Sequence, residues 1–159
     1  MTQNYFYRIG HFPEWAYKNI KPIVLIEELM YDDSGQLPAD YKFFMVYGKC
    51  EFIQVDNSRF EKHTRDLFDS KWSRLEIVNV YPNSKETILR PEHLEEMLRI
   101  AERLSSELDF VRVDLYQTSN GVKFGELTNY PGGGMEEYHP AEYGKSLGLK
   151  WKPNYQKVD

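Results

Sequence analysis

Two alternating runs joined by a turn, FVRVDLYQTSNGVKFGELT over residues 110 to 128, constrain this chain more than any other stretch. In the first run Phe110, Arg112, Asp114 and Tyr116 share one face, and Val111, Val113 and Leu115 share the other, the period of two that a β-strand imposes. The apolar face is the one expected to pack. After Ser119-Asn120-Gly121 the alternation resumes, with Val122, Phe124, Glu126 and Thr128 on one side. A three-residue loop with Gly121 left-handed pairs Thr118 with Val122, which sets Asp114 opposite Glu126 and Arg112 opposite Thr128. A loop of two or four residues instead sends the two acids to opposite faces.

Directly opposed Cβ atoms in an antiparallel pair lie roughly 4.5–5.5 Å apart, and two carboxylates at that spacing repel. Two ways of offsetting the repulsion are open at this point. Arg112 can neutralise both acids as a local ion pair on a solvated face. Alternatively the acids hold a hard divalent cation, since magnesium takes one or two carboxylates and leaves its other positions to water and phosphate oxygens.

The rest of the chain sets this hairpin in an α+β context. Residues 1–21 form an aromatic lead-in (Tyr5, Phe6, Tyr7, Phe12, Trp15, Tyr17) without a clean period, expected to be a packed arm. PIVLIEELM, Pro22 to Met30, opens with β-branched apolar residues and predicts a buried strand that meets charge at Glu27 and Glu28. Asp40 to Tyr47 and Cys50 to Val55 predict a hairpin turning at Gly48-Lys49, with Asp40 and Lys42 on one face. The charge-dense segment that follows, with Arg59, Lys62, His63, Arg65 and Lys71, reads as a solvated face or as a mobile loop reaching for an anionic substrate. A short strand is expected at Leu75 to Val80. Leu94, Met97, Leu98, Ala101, Leu104 and Leu108 then recur at helical spacing, behind Pro91 and the acids Glu92, Glu95 and Glu96. The fold class is therefore a mainly antiparallel sheet with one long helix. NYPGGG, residues 129–134, permits close backbone approach to a ligand or serves as a flexible exit. Beyond it the chain reads as irregular, with a short helix near Pro140 to Ser146.

Composition removes several function classes. At 159 residues the chain fits one domain with a real core, and its formal net charge of -5 argues against a general nucleic-acid or membrane-surface binder. A single cysteine, Cys50, excludes an internal disulfide and fits a reducing compartment. No run approaches a transmembrane span, and MTQNYFYRIG lacks the basic and apolar parts of a signal peptide, so no membrane insertion and a cytoplasmic location are expected.

Taken in order, VLIEELM, Asp40-x-Lys42, Arg59, a helix, VRVDLY and GELTNYPGGG resemble the second half of an ATP-grasp fold. More narrowly they are similar to the TupA-like (teichuronopeptide-type) ATP-grasp family of bacterial surface-polysaccharide biosynthesis. The similarity runs from about Trp15 to Leu149, so the expected organisation is a lead-in arm at 1–21, a lobe at 22–149 and a tail at 150–159.

The resemblance implies a ligase that phosphorylates a carboxylate with ATP and passes the acyl group to an amine. It implies adenine contacts from the Glu27 side chain and from the backbone of Glu28 and Met30, with Asp40 near the ribose or substrate. Lys42, Arg59 and Arg112 would meet phosphate or acyl-phosphate charge, and Asp114, Glu126 and Thr128 would hold magnesium. Thr128 stands where ATP-grasp enzymes generally carry asparagine, and the asparagine here is one further on, at Asn129. The first lobe of such a fold is expected upstream of Met1, which makes a separate N-terminal lobe or a homo-oligomer partner the implied partner, beside the nucleotide and an anionic sugar or amino-acid substrate. A non-catalytic module that keeps the fold for nucleotide binding or partner assembly is the second reading.

Overall fold

The alternation in DYKFFMV makes β1 (Asp40–Val46) a strand with two dissimilar faces, and the sheet is built around it. The computed structural model describes residues 17, 19–57 and 63–152. β2 (Lys49–Asn57) and β6 (Phe110–Thr118) flank β1, and β3 (Thr64–Phe68), β4 (Arg74–Leu75) and β7 (Gly121–Thr128) complete a six-stranded sheet in the order β4-β3-β2-β1-β6-β7. Every pairing in it is antiparallel. Two short strands, β5 (Val78–Asn79) and β8 (Tyr138–His139), form a separate ladder.

One face of the sheet is largely apolar. Tyr41, Phe43, Met45, Ile53, Val55, Val111, Val113 and Leu115 pack with Leu94, Met97 and Ala101 of α1 (Leu94–Ser105). Leu94 and Met97 are completely buried, each contributing roughly 1.5–3 kcal/mol. The other face is divided. At one end Phe44, Phe52, Leu67 and Ile77 form a second core under Tyr138 and the Tyr143 and Leu147 side chains of α2 (Ala141–Lys150). At the other end the same strands carry Asp40, Lys42, Gln54, Asp56 and Asp114, all buried.

Several expectations are corrected. Pro22 to Met30 is neither strand nor buried: Val24 is 87% and Ile26 93% exposed, and no described strand pairs with the segment. The first hairpin turns at Tyr47-Gly48, one position early, with φ of 48° and 72° suited to a two-residue loop. The charge-dense segment contains β3, whose Arg65 and Asp66 are buried, because each meets an opposite charge. Leu75 to Val80 is split between two sheets as β4 and β5. The expected long helix is α1, of only 12 residues, and the short helix expected near Pro140 to Ser146 is α2, of 10 residues. The apolar stripe of α1 ends at Ser105, whose hydroxyl donates to the Ala101 carbonyl at 2.7 Å, while Leu104 and Leu108 stay half exposed. Most of the aromatic lead-in and the end of the tail lie outside the described residues. No described helix is long and apolar enough to cross a membrane.

Candidate functional site

The β6–β7 hairpin pairs Asp114 with Glu126 and Arg112 with Thr128, as the alternation predicts. It reaches that register differently. Thr118 pairs with Gly121 across a two-residue loop, and Gly121 takes φ of 83°. Such a loop alone would separate the acids, but β7 carries one extra residue, Gly125, between the partners of Asp114 and Leu115. A Cβ on Gly125 would lie 2.7 Å from the Tyr116 ring and 3.1 Å from the Asp114 carbonyl oxygen, so glycine permits the bulge that restores the register.

Strand pairing then assembles a charge ladder. Lys42 lies opposite Asp114 in the β1–β6 ladder, donating from Nζ to Asp114 Oδ2 at 2.6 Å and also to Asp40 Oδ2. Arg112 grips the same aspartate with two bonds of 2.7 Å, from Nε to Oδ1 and from Nη2 to Oδ2, the bidentate geometry of a strong pair. Its Nη2 donates onward to Glu126 Oε1, which also accepts from Thr128 Oγ1 at 2.8 Å. Burial pulls the Arg112 pKa down, but the bond and charge of Asp114, then the charges of Glu126 and Asp40, outweigh it and raise the value, so the guanidinium stays cationic.

The ion pair therefore exists. Among the described residues no group of three or more His, Cys, Asp and Glu side chains is arranged to hold a metal. The donor chemistry still suits a hard cation: two facing carboxylates, one of them, Glu126, 60% exposed at its side chain, with room for phosphate or water oxygens. Such a cation would share Asp114 with Lys42 and Arg112.

Sequence reasoning missed the other half of the site. Asp56 Oδ1 accepts from Arg65 Nε at 2.7 Å and lies 3.2 Å from His63 Nε2, and Gln54 Nε2 donates to Oδ2 at 2.9 Å. Burial alone would raise the Asp56 pKa, but the Arg65 bond and charge, with Gln54 and His63, hold it below the ordinary carboxylate value. Arg65 also reaches Asn79 at 2.7 Å and Glu136 at 3.2 Å, and lies over the Tyr81 ring against which His63 stacks. The available signal was the alternation Phe52-Gln54-Asp56, which puts Asp56 on the Lys42 face.

Both halves border one cavity of about 590 Å³. Its lining includes Glu27 and Met30 from the segment before β1, together with Asp40, Lys42, Arg112, Asp114 and Glu126. Glu28 does not line it, Thr128 bonds to a lining residue, and Arg59 lies outside the described residues. In comparisons with known proteins, residues 2–152 match the family model described as TupA-like ATPgrasp. No curated protein and no solved structure matches the chain.

Proposed function

The chain belongs to the TupA-like ATP-grasp family, and on that premise we propose that it forms the nucleotide- and metal-binding face of a carboxylate–amine ligase. The observation that carries this reading is the ladder Asp40, Lys42, Asp114, Arg112 and Glu126, buried at its aspartates and Lys42 and open at Glu126, lining a cavity that Glu27 and Met30 also border. Seven residues picked from the sequence thus share one concave site.

In the proposed reaction a carboxylate oxygen of the donor acid attacks the γ-phosphorus of ATP and ADP leaves. An amine then attacks the acyl carbon, and phosphate departs with the electrons of the broken C–O bond. Glu27, with the backbone of Glu28 and Met30, receives the adenine, and Asp40 the ribose or acceptor. Lys42, Arg112 and Arg59 meet phosphate charge, with Arg112 cationic at every working pH. Asp114, Glu126 and Thr128 would hold magnesium, which when bound neutralises charge developing on the transferred group.

The family resemblance supports a role in surface-polysaccharide assembly, and the single cysteine, Cys50, supports a reducing, cytoplasmic location. The exposed apolar run Ile20, Ile23, Val24, Leu25, Ile26 and Leu29 supports association with a second lobe or another copy, because such a patch is costly to leave in water. It equally supports the non-catalytic assembly module. Nucleotide binding is tested by melting the chain with and without millimolar Mg-ATP. At about 100 times Kd the gain is about 2.7 kcal/mol, or roughly 5–10 °C for a domain of this size, and Glu126→Ala is expected to remove it. An unshifted wild-type melt would sink nucleotide binding by this chain.

A further inference from the structure

Beside the polar cavity, on the same face of the sheet, a second cavity of about 530 Å³ opens over Phe44, Phe52 and Phe110, with Tyr138 and Trp151 in its walls. That volume lies within the roughly 300–1,000 Å³ of small-molecule clefts. Its walls are largely aromatic and aliphatic, and the charged side chains in its described lining are all acidic: Glu51, Asp109 and Glu136. Two of them are partly countered from outside, Glu51 by Lys150 at 2.5 Å and Glu136 by Arg65 at 3.2 Å. Even so, a carboxylate entering here would meet like charge at each ionised point, whereas an ammonium would meet acceptors.

Glu136 borders both cavities. Its position depends on the glycine run: Gly132 has φ of 55°, and a Cβ there would lie 2.2 Å from Glu136 Cγ. The Pro131–Gly134 turn thus packs directly on the side chain that stands between the polar and the apolar compartments.

We propose that the second cavity binds a primary amine carried on an apolar, ring-sized body, with the ammonium at Glu136 and the body over Phe44, Phe52 and Phe110. Calling this ligand the acceptor rests on the ligase reading; its binding does not. A charge-assisted bond to Glu136 and desolvation of the apolar body would act together, so amine and body are both required.

The test uses the full chain, labelled for NMR, and three probes: 3-phenylpropylamine, its acid counterpart 4-phenylbutanoate, and ethanolamine. The expected result is that the arylalkylamine shifts the Trp151 indole N–H and the Gly134 amide, with the acid at least about tenfold weaker and ethanolamine without effect. Glu136→Gln should bring amine and acid within about threefold of each other, and Trp151→Ala, at the edge of the groove, should weaken the amine while leaving the fold intact. An acid that binds as well as the amine, the absence of any shift at Trp151 and Gly134, or shifts that follow protein concentration alone, which would make a second copy the occupant, each overturn the proposal. Mg-ATP titration of the same sample separates the two claims. A nucleotide response without an amine response overturns the groove assignment only, and an amine response without a nucleotide response overturns the ligase reading only.

Discussion

Replacing Lys42 with methionine isolates what the buried charge ladder does for the fold. Lys42 is 6% exposed, and its partners Asp40 and Asp114 are 7% and 2% exposed. Methionine keeps most of the apolar stem, so the volume change is small and the loss is mainly of charge. Removing one member of a buried ion pair costs about 3–5 kcal/mol, because the remaining charge is stranded in a poor solvent. Here Arg112 still holds Asp114 by two bonds, which places the expected cost near the lower end, about 3 kcal/mol. For a domain of this length that is a fall in Tm of roughly 6–12 °C, read by circular dichroism at pH 7. If loss of the Lys42–Asp40 pair is a main cause, Lys42→Met with Asp40→Asn, which removes the buried carboxylate together with its cation, should recover about 1 kcal/mol relative to Lys42→Met alone. A single variant within about 0.5 kcal/mol of the parent, or a double variant whose losses simply add, would refute the account.

Two further outcomes follow from the geometry. Gly125→Ala should cost about 1–3 kcal/mol, because its Cβ would crowd the Asp114 carbonyl as well as the Tyr116 ring, and it should also weaken the Mg-ATP response by disturbing the Asp114–Glu126 register. Urea unfolding with a lower midpoint at unchanged slope, and a reduced nucleotide-induced shift, would bear this out; an unaltered protein would not. Asp56 supplies a pH signature. Its folded pKa lies below the ordinary 3.8, so its stabilisation is complete above that value and is lost as pH falls through 3.8 and then the folded pKa. The stability gap between the parent and Asp56→Asn should therefore be wider at pH 6 than at pH 3, and a gap that does not change over that range would contradict the assignment.

How far the sequence could be read depended on whether the deciding contact was local. The β6–β7 acids were legible because parity is robust: a three-residue loop, or a two-residue loop with a one-residue bulge, leaves Asp114 and Glu126 facing each other. The bulge itself was not legible, since Gly125 is fixed by crowding against Tyr116 on the other strand. The α1 helix was legible from its period, apart from its last turn. Pro22 to Met30 misled for the opposite reason. Its composition suits a strand, but a strand requires a neighbouring ladder, and among the described residues none pairs with it. The segment around β3 misled because its charges pair between neighbouring strands, Arg65 with Asp56 of β2 and Asp66 with Arg74 of β4, and charge density alone does not say which members of such a run are brought together and buried. For the same reason the Asp56–Arg65–Glu136 half of the cavity went unassigned.

The layout of the sheet explains why such a costly network is kept where apolar residues would fit. One step along each strand the same face turns apolar: Lys42 is followed by Phe44, Gln54 is preceded by Phe52, and Arg112 is preceded by Phe110. A face maintained for stability alone could continue that pattern, since buried ion pairs are often matched or bettered by well-packed apolar replacements. The polar half instead holds two aspartates, a lysine and an arginine against one another, mostly out of solvent, with Lys42, Asp114 and Arg112 each fixed by two partners. That is preorganisation of charge on a rigid scaffold, which catalysis by positioning requires and folding does not. Glu136 stands at the boundary between the halves. The proposed ligase would have to bring a phosphorylated acid, rich in charge, against an amine whose remaining body can be apolar, and under that proposal a sheet divided at this boundary would offer each a compartment within reach of the other.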